Sequence, residues 1–226
     1  MHGGNQPARA LAFLTATKPV LTIINRIVLE VNANRLFEVS RRVTYELWRD
    51  ALKPQTRLEL GKLTPTEINE HLTTLQMLTR ELGLKRVLEL GVCTGQSTLA
   101  FLNAVKDIDG HVTSMDIEDC PVAREAVTDE GLDDWWTFIE QDDMAHPWRE
   151  EIDHLFIDTS HAYHHTYEEL EKYEPFVRPG GVITMHDIVT FPGVKRAIDE
   201  YLEDRPYLRF YSYYTNNGLG VIFKGE

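Results

Sequence analysis

The sequence predicts an α/β fold in which a mostly parallel sheet closes with an antiparallel hairpin. Three observations carry that expectation. Val87 to Leu90 is a short apolar run that stops at Gly91, and from Gly95 onward Leu99, Leu102 and Val105 recur at helical spacing. A buried strand therefore passes through a tight turn into a helix. Strand-like and helix-like stretches of this kind then alternate to about residue 202, giving five β/α units. Finally, Leu208 to Tyr214 and Leu219 to Phe223 flank Asn216-Asn217-Gly218, residue types favoured where one strand reverses into the next.

The elements follow in order. Residues 1–18 read as a loose arm with a short helix. From Pro19 a long helix is expected, ending no later than Pro54, because Val20, Ile23, Ile24, Ile27, Val28 and Val31 keep the helical period and Leu36, Val39, Val43 and Leu47 extend the stripe. Such a stripe needs a partner surface: a second subunit, the mouth of an active site, or the chain's own domain. Residues 53–63 read as a connector, so the expected division is a helical extension at 1–63 and a domain at 64–226. Thr64-Pro65-Thr66-Glu67 predicts a capping box with proline in the first turn, opening a helix that carries Ile68, Leu72, Leu75, Leu78 and Leu82 and stops at Gly83. After the first strand-turn-helix unit, His111 to Met115 predicts strand two, ending on Asp116. A helix over Pro121 to Glu130 and strand three over Trp135 to Ile139 come next, then strand four over His154 to Ile157, ending on Asp158. A helix over Ala162 to Tyr173 leads to strand five at Val182 to Met185, which ends on His186-Asp187. The next helix is expected over Gly193 to Leu202.

Composition narrows the function. A chain of 226 residues can bury a core without staples. A formal net charge of −13 argues against nucleic acid as a partner, since phosphates are held by Lys and Arg. Two cysteines, Cys93 and Cys120, make no disulfide framework and suit a reducing compartment. No run reaches the ~18 apolar residues of a membrane span, and Ala10 to Leu14 is too short and lacks the basic flank of a signal peptide. The expectation is a cytoplasmic protein with a small-molecule substrate.

In an open parallel sheet, ligands bind beyond the carboxyl ends of the strands. Asp116, Asp158 and Asp187 each stand at such an end. The turn between Gly91 and Gly95 offers free N–H groups and a helix terminus to an anion, Gly91 by letting the backbone bend toward a ligand and Gly95 by admitting close contact at the helix start. Asp116 can accept hydrogen bonds from two ribose hydroxyls. Asp158 and Asp187 end strands expected to be neighbours, which is the donor set of a hard cation such as Mg²⁺, with His186 as a possible third ligand. Gln141 and Asp142, after strand three, can face a bound ligand or only solvent. His161, one turn from Asp158, can take a proton or can cap the following helix.

The stretch Glu89-Leu90-Gly91-Val92-Cys93-Thr94-Gly95, continued by Gln96-Ser97, lacks the second and third glycines of the dinucleotide fingerprint. It resembles motif I of the class I S-adenosylmethionine (SAM) methyltransferases, especially catechol-type enzymes. Asp158-Thr159-Ser160-His161-Ala162-Tyr163 resembles the Asp-x-x-His-x-Tyr signature of a bacterial branch of that class. The branch includes macrolide-sugar and rhamnosyl O-methyltransferases and cephalosporin-hydroxylase-like proteins. Val177-Arg178-Pro179-Gly180-Gly181 with His186-Asp187 is similar to their later motif. The resemblance covers about residues 64–225. It implies a Rossmann-like class I methyltransferase fold with a seven-stranded sheet, SAM as cofactor, and methyl transfer to a hydroxyl of a sugar or natural product. By it, Glu89, Gly91, Val92, Gly95, Ser97, Asp116, Gln141, Asp142 and Asp158 match cofactor-binding positions. Asp158, His186 and Asp187 match metal positions and His161 the general base, with Asp158 and His186 beside it in the catalytic group. His186 stands where the metal-dependent sugar enzymes carry Glu. A homo-oligomer through the N-terminal helices is expected. Two rivals are a nicotinamide-dependent oxidoreductase on a similar sheet and a SAM-binding protein without turnover.

Overall fold

The computed structural model describes residues 44–47 and 49–225, and the chain divides into two compact units, Met1–Lys53 and Pro54–Glu226. In the first, residues 44–47 and 49–52 are helical. The expected arm at 1–18 and the rest of the helix from Pro19 lie outside the described residues.

The second unit opens with α1 (Arg57–Lys62) and α2 (Leu72–Glu81), then runs β1 (Arg86–Leu90), α3 (Gln96–Val105), β2 (His111–Asp116), α4 (Pro121–Asp129) and β3 (Trp136–Glu140). It continues with β4 (Ile152–Ile157), α5 (Tyr163–Tyr173), β5 (Val177–His186), α6 (Pro192–Leu202), β6 (Leu208–Tyr213) and β7 (Leu219–Lys224). The seven strands lie in the order β3-β2-β1-β4-β5-β7-β6. β7 runs antiparallel to both of its neighbours and the remaining pairings are parallel, so the expected sheet is the observed one. The chain leaves β1 toward β2 on one side and returns as β4 on the other. The loops after β1 and β4 therefore part there, which opens a crevice at the carboxyl end of the sheet.

Both faces of the sheet are covered. Val87 of β1 and Phe156 of β4 pack with Leu72, Leu75 and Phe101 on one face. Leu88 and Leu90 of β1, with Leu155 and Ile157 of β4, pack with Leu170, Tyr173 and Ile198 on the other. This is why the strands read as continuous apolar runs rather than alternating ones. Among the described residues no helix is long and apolar enough to cross a membrane.

The N-terminal part of this unit differs from expectation. The capping box belongs to Thr56 and Glu59, which cap α1 within the supposed connector. Thr64 instead donates its hydroxyl to the Leu60 carbonyl at 2.8 Å. Thr66 and Asn69 close a turn on each other: Asn69 N donates to Thr66 Oγ1 at 3.1 Å and Thr66 N to Asn69 Oδ1 at 3.2 Å. Side chains that satisfy the backbone locally compete with helix formation, so α2 starts at Leu72 and residues 64–71 remain a loop. β5 also starts earlier than expected, at Val177, with a register shift opposite Ile152 and His154.

At the other end of the sheet, Asp153 is buried and accepts from Arg86 N at 2.8 Å and Arg86 Nε at 3.0 Å, and it also pairs with Arg178. Burial works against its charge, but the two guanidiniums outweigh it and hold the carboxyl at about 2. Because the folded value is depressed, the stabilisation is present above the unfolded value near 4 and is lost as pH falls through about 2. Asp153→Asn should lower stability at pH 7 by about 2 kcal/mol. In urea melts the gap between variant and parent should close between pH 4 and pH 2; a gap that persists at pH 2 would count against this ion pair.

Candidate active site

The turn after β1 is built from two glycines that cannot be replaced for steric reasons. Gly91 has φ +87°, and a Cβ there would lie 2.0 Å from the Asp158 carbonyl oxygen. One close approach that Gly91 permits is therefore to the backbone after β4. Gly95, at φ +80°, would place a Cβ 2.7 Å from that of Ala123, so its smallness lets α3 begin against α4. The Asp116 carboxylate stitches the turn from the neighbouring strand. Its Oδ2 accepts from Val92 N at 2.8 Å and Cys93 N at 3.2 Å, and its Oδ1 from Glu118 N at 2.9 Å. Burial opposes the charge, yet these N–H groups hold Asp116 below the usual carboxylate range.

Two cavities meet at this turn. One of about 390 Å³ is lined by Gly91, Val92, Asp116, Gln141, Asp142 and Asp158, among others. The second, of about 470 Å³, is bordered by Val92, Ser97, Asp158, His161, His186 and Asp187. Val92, Cys93, Asp158 and Thr159 border both. The first is the groove expected for a cofactor, and the second opens beside the expected base. Glu89 borders neither. It is fully buried under the turn, where Oε2 accepts from Thr98 Oγ1 at 2.8 Å and Ser114 Oγ at 2.5 Å. Burial pushes its carboxyl up to about 7 against those hydroxyls. As it stands, Glu89 supports the cofactor loop from below rather than lining its surface.

At the second cavity three expected residues converge. Asp158 follows β4, Asp187 follows β5, and His161 stands at the approach to α5. His161 Nε2 lies 2.7 Å from Asp187 Oδ2, although the ring is not aimed along that line for a hydrogen bond. Ligand atoms of Asp158, His161 and Asp187 lie within 4.8 Å of one another, and Asp187 Oδ1 and His161 Nε2 are buried without a hydrogen-bond partner. Asp187 takes φ +64°, a left-handed conformation that is costly for a residue with a side chain and that clusters at functional sites.

His186 is buried beside the two aspartates. Its Nε2 faces the carbonyl oxygens of Glu67 at 3.2 Å and Asn216 at 3.4 Å. Its Nδ1 lies 3.4 Å from both Asp158 Oδ1 and Asp187 Oδ2. Burial works against charging the ring, but the two carboxylates prevail and raise it to about 10. His186 stands beside both aspartates it was expected to join, with Nδ1 facing them and Nε2 held by the two carbonyl oxygens. The unpartnered Asp187 oxygen lets the two aspartates fit a cation, with His161 completing the three-residue cluster and His186 Nδ1 3.4 Å from both carboxylates.

Phe191 and the 66–68 loop were not foreseen. Phe191 stacks on His161 with ring centroids 3.9 Å apart and planes 6° from parallel, fixing the imidazole from one side. Thr66, Glu67 and Ile68 border the second cavity. They are tied to the β6–β7 turn by His186, by Asn216 Nδ2 donating to Asn69 Oδ1 at 3.2 Å, and by His71 Nε2 lying 2.9 Å from the Thr215 carbonyl. Residues so far apart in sequence leave no spacing signal; only the sheet order brings them together.

The strand order, the antiparallel β7 and the glycine turn at the switch point are those of the Rossmann-like class I methyltransferases. Residues 88–188 match a family model described as a methyltransferase domain, a span that contains the turn, Asp116, Asp158, His161 and Asp187. A curated caffeoyl-CoA O-methyltransferase of Populus kitakamiensis is 28% identical over 136 residues, which cover 56% of this chain and 56% of that protein. The match thus spans little more than half of that relative's length. Among solved structures, an O-methyltransferase from Bacillus cereus in complex with SAH superposes with a TM-score of 0.64 at 18% identity, covering 80% of this chain and 96% of that one. The O-methyltransferase TomG from Streptomyces achromogenes, in complex with SAM, gives 0.60 at 16% identity, with 82% and 90% covered. At these identities the structural likeness speaks for the fold.

Proposed function

We propose that the chain is a SAM-dependent O-methyltransferase that acts on a hydroxyl of a small molecule. The observation that carries this is the meeting of two cavities at Asp158, one running over the glycine turn and the other bordered by His161 and Asp187. A cofactor in the first would present its methyl group to an acceptor in the second. SAM supplies an electrophilic methyl on a sulfonium, so the protein's task is orientation and removal of the acceptor's proton. Asp116, Gln141 and Asp142 would hold the nucleoside, and the turn from Gly91 to Ser97 the amino-acid end. His161 would take the hydroxyl proton, with Phe191 fixing its ring and Asp187 stabilising the charge it gains.

Asp158 and Asp187 would hold a divalent cation if one is bound, and its chemistry would be to polarise the acceptor oxygen. The unpartnered Asp187 Oδ1 favours that arrangement; His186, raised by the two carboxylates beside it, offsets part of their charge without a cation. Exhaustive dialysis against EDTA separates the two. Lost turnover restored by Mg²⁺ supports the cation, and full turnover leaves His186 as the counter-charge. The likeness of the motifs at Asp158 and Val177 to those of macrolide-sugar and rhamnosyl enzymes supports a sugar or natural product as acceptor. The apolar stripe from Val20 to Leu47 supports a homo-oligomer.

The reading is tested by calorimetry with SAM, SAH and NAD, followed by turnover on a panel of hydroxylated acceptors. SAM and SAH should bind and NAD should not; binding of NAD alone would overturn the proposal in favour of an oxidoreductase. SAM binding with no turnover on any acceptor would leave a binding protein. Asp116→Ala should weaken SAM binding by about 1–3 kcal/mol, because it removes charge-assisted bonds to the ribose and loosens the turn. Unchanged affinity in the folded variant would remove Asp116 from the site.

A further inference from the structure

A second cluster stands in the wall of the first cavity, which Asp143 and His165 line and His161 does not. Asp143 comes from the loop after β3, and His165 and Glu169 stand one turn apart on the same face of α5. His165 Nε2 is 3.5 Å from Asp143 Oδ1 and 3.5 Å from Glu169 Oε1. One ligand atom from each of the three lies within 4.8 Å of the others. Glu169 is fully buried and Asp143 is 9% exposed. Each carboxylate also keeps a second oxygen, Glu169 Oε2 and Asp143 Oδ2, that is buried with no hydrogen-bond partner among the described residues. Leaving a buried carboxylate oxygen unpaired is costly. Two buried carboxylates that each keep such an oxygen, with one imidazole near both, point to a ligand that accepts electron pairs.

We propose that Asp143, His165 and Glu169 form a binding site for a divalent cation of the zinc class. A dication neutralises the two carboxylates while the imidazole ligates as a neutral base. The nitrogen donor selects Zn²⁺ over Mg²⁺, which prefers an all-oxygen shell. The role that follows is structural. Thr159 donates its hydroxyl to Glu169 Oε1 at 2.6 Å, so an ion here would tie the loop after β3 to the loop after β4. Both loops border the first cavity. The site is separate from the Asp158, His161 and Asp187 cluster and does not depend on the proposed methyl transfer.

The test uses the full chain carrying Asp187→Asn, which disables the other cluster. The chain is dialysed against micromolar Zn²⁺ and its metal counted by mass spectrometry. Close to one Zn²⁺ per chain is expected, undisplaced by an equal concentration of Mg²⁺. Adding His165→Ala or Asp143→Asn should cut retained zinc by about tenfold or more. Circular dichroism confirms each fold, and Asp143→Asn carries the test if His165→Ala does not fold. No retained zinc in the Asp187→Asn chain, displacement by Mg²⁺, or retention unchanged by both further substitutions would overturn the proposal.

Discussion

Replacing His161 by Ala should lower kcat for methyl transfer by about 10²–10⁴-fold, the scale of a positioned general base. The affinity for SAM should hold, because His161 borders the second cavity and not the first. The loss comes from two sources. The acceptor hydroxyl would have to give its proton to water as the methyl group moves, and the charge stabilised by Asp187 at 2.7 Å would no longer form. His164→Ala is the control. It removes an imidazole three residues away that is exposed on α5, and it should leave kcat unchanged. Equal turnover in His161→Ala and the parent on the true acceptor would refute the base assignment.

The second large effect concerns Gly91. Gly91→Ala should destabilise the fold by about 3–5 kcal/mol, the range reserved for a few named mechanisms. Two of them act together here. The residue sits at φ +87°, where a Cβ costs about 1–2 kcal/mol. That Cβ would also stand 2.0 Å from the backbone oxygen of Asp158, an atom that cannot swing aside without moving the end of β4. Gly83→Ala separates the terms, because Gly83 has φ +64° but nothing within 4 Å of the added carbon. It should cost only about 1 kcal/mol. Equal losses for the two variants in urea melts would mean that the close approach carries no weight. Any folded Gly91→Ala protein should also bind SAM poorly, since the displaced segment separates the two cavities.

The sheet was legible because both of its faces are buried. Val87 to Leu90 and His154 to Ile157 had to read as mostly apolar runs without alternation, each followed by a residue at the crevice. Asp116, Asp158 and Asp187 stood out for the same reason: charge at the carboxyl end of a buried strand is visible against its apolar background. The site's walls were not legible. Phe191 reads as an ordinary apolar residue before Pro192, and nothing in the sequence says that its ring lies on His161. Thr64-Pro65-Thr66-Glu67 has the form of a helix start, but Asn69 folds back on Thr66, and the turn is fixed by a partner 147 residues away, Asn216. His186 was expected as a metal ligand from its place beside Asp187, but its neighbours in space, two carboxylates and two carbonyl oxygens, were not legible. The burial of Glu89 was not legible either: its place in the motif is beside the turn, and strand alternation directs its side chain inward.

The tie between the 66–68 loop and the β6–β7 turn bears on how the protein comes into being on the ribosome. β1 to β4, with the glycine turn and Asp116, emerge first and can pair as a unit. The wall that would hold the acceptor waits for Asn216, which is made about 150 residues after the loop it secures. A nascent chain halted before β6 would carry the cofactor groove with its methyl-accepting side open to water. Closing that side is among the last long-range contacts the chain can form, and contacts of such high sequence separation form slowly. On the proposed function, the half-made protein would hold its cofactor groove well before the wall that selects an acceptor.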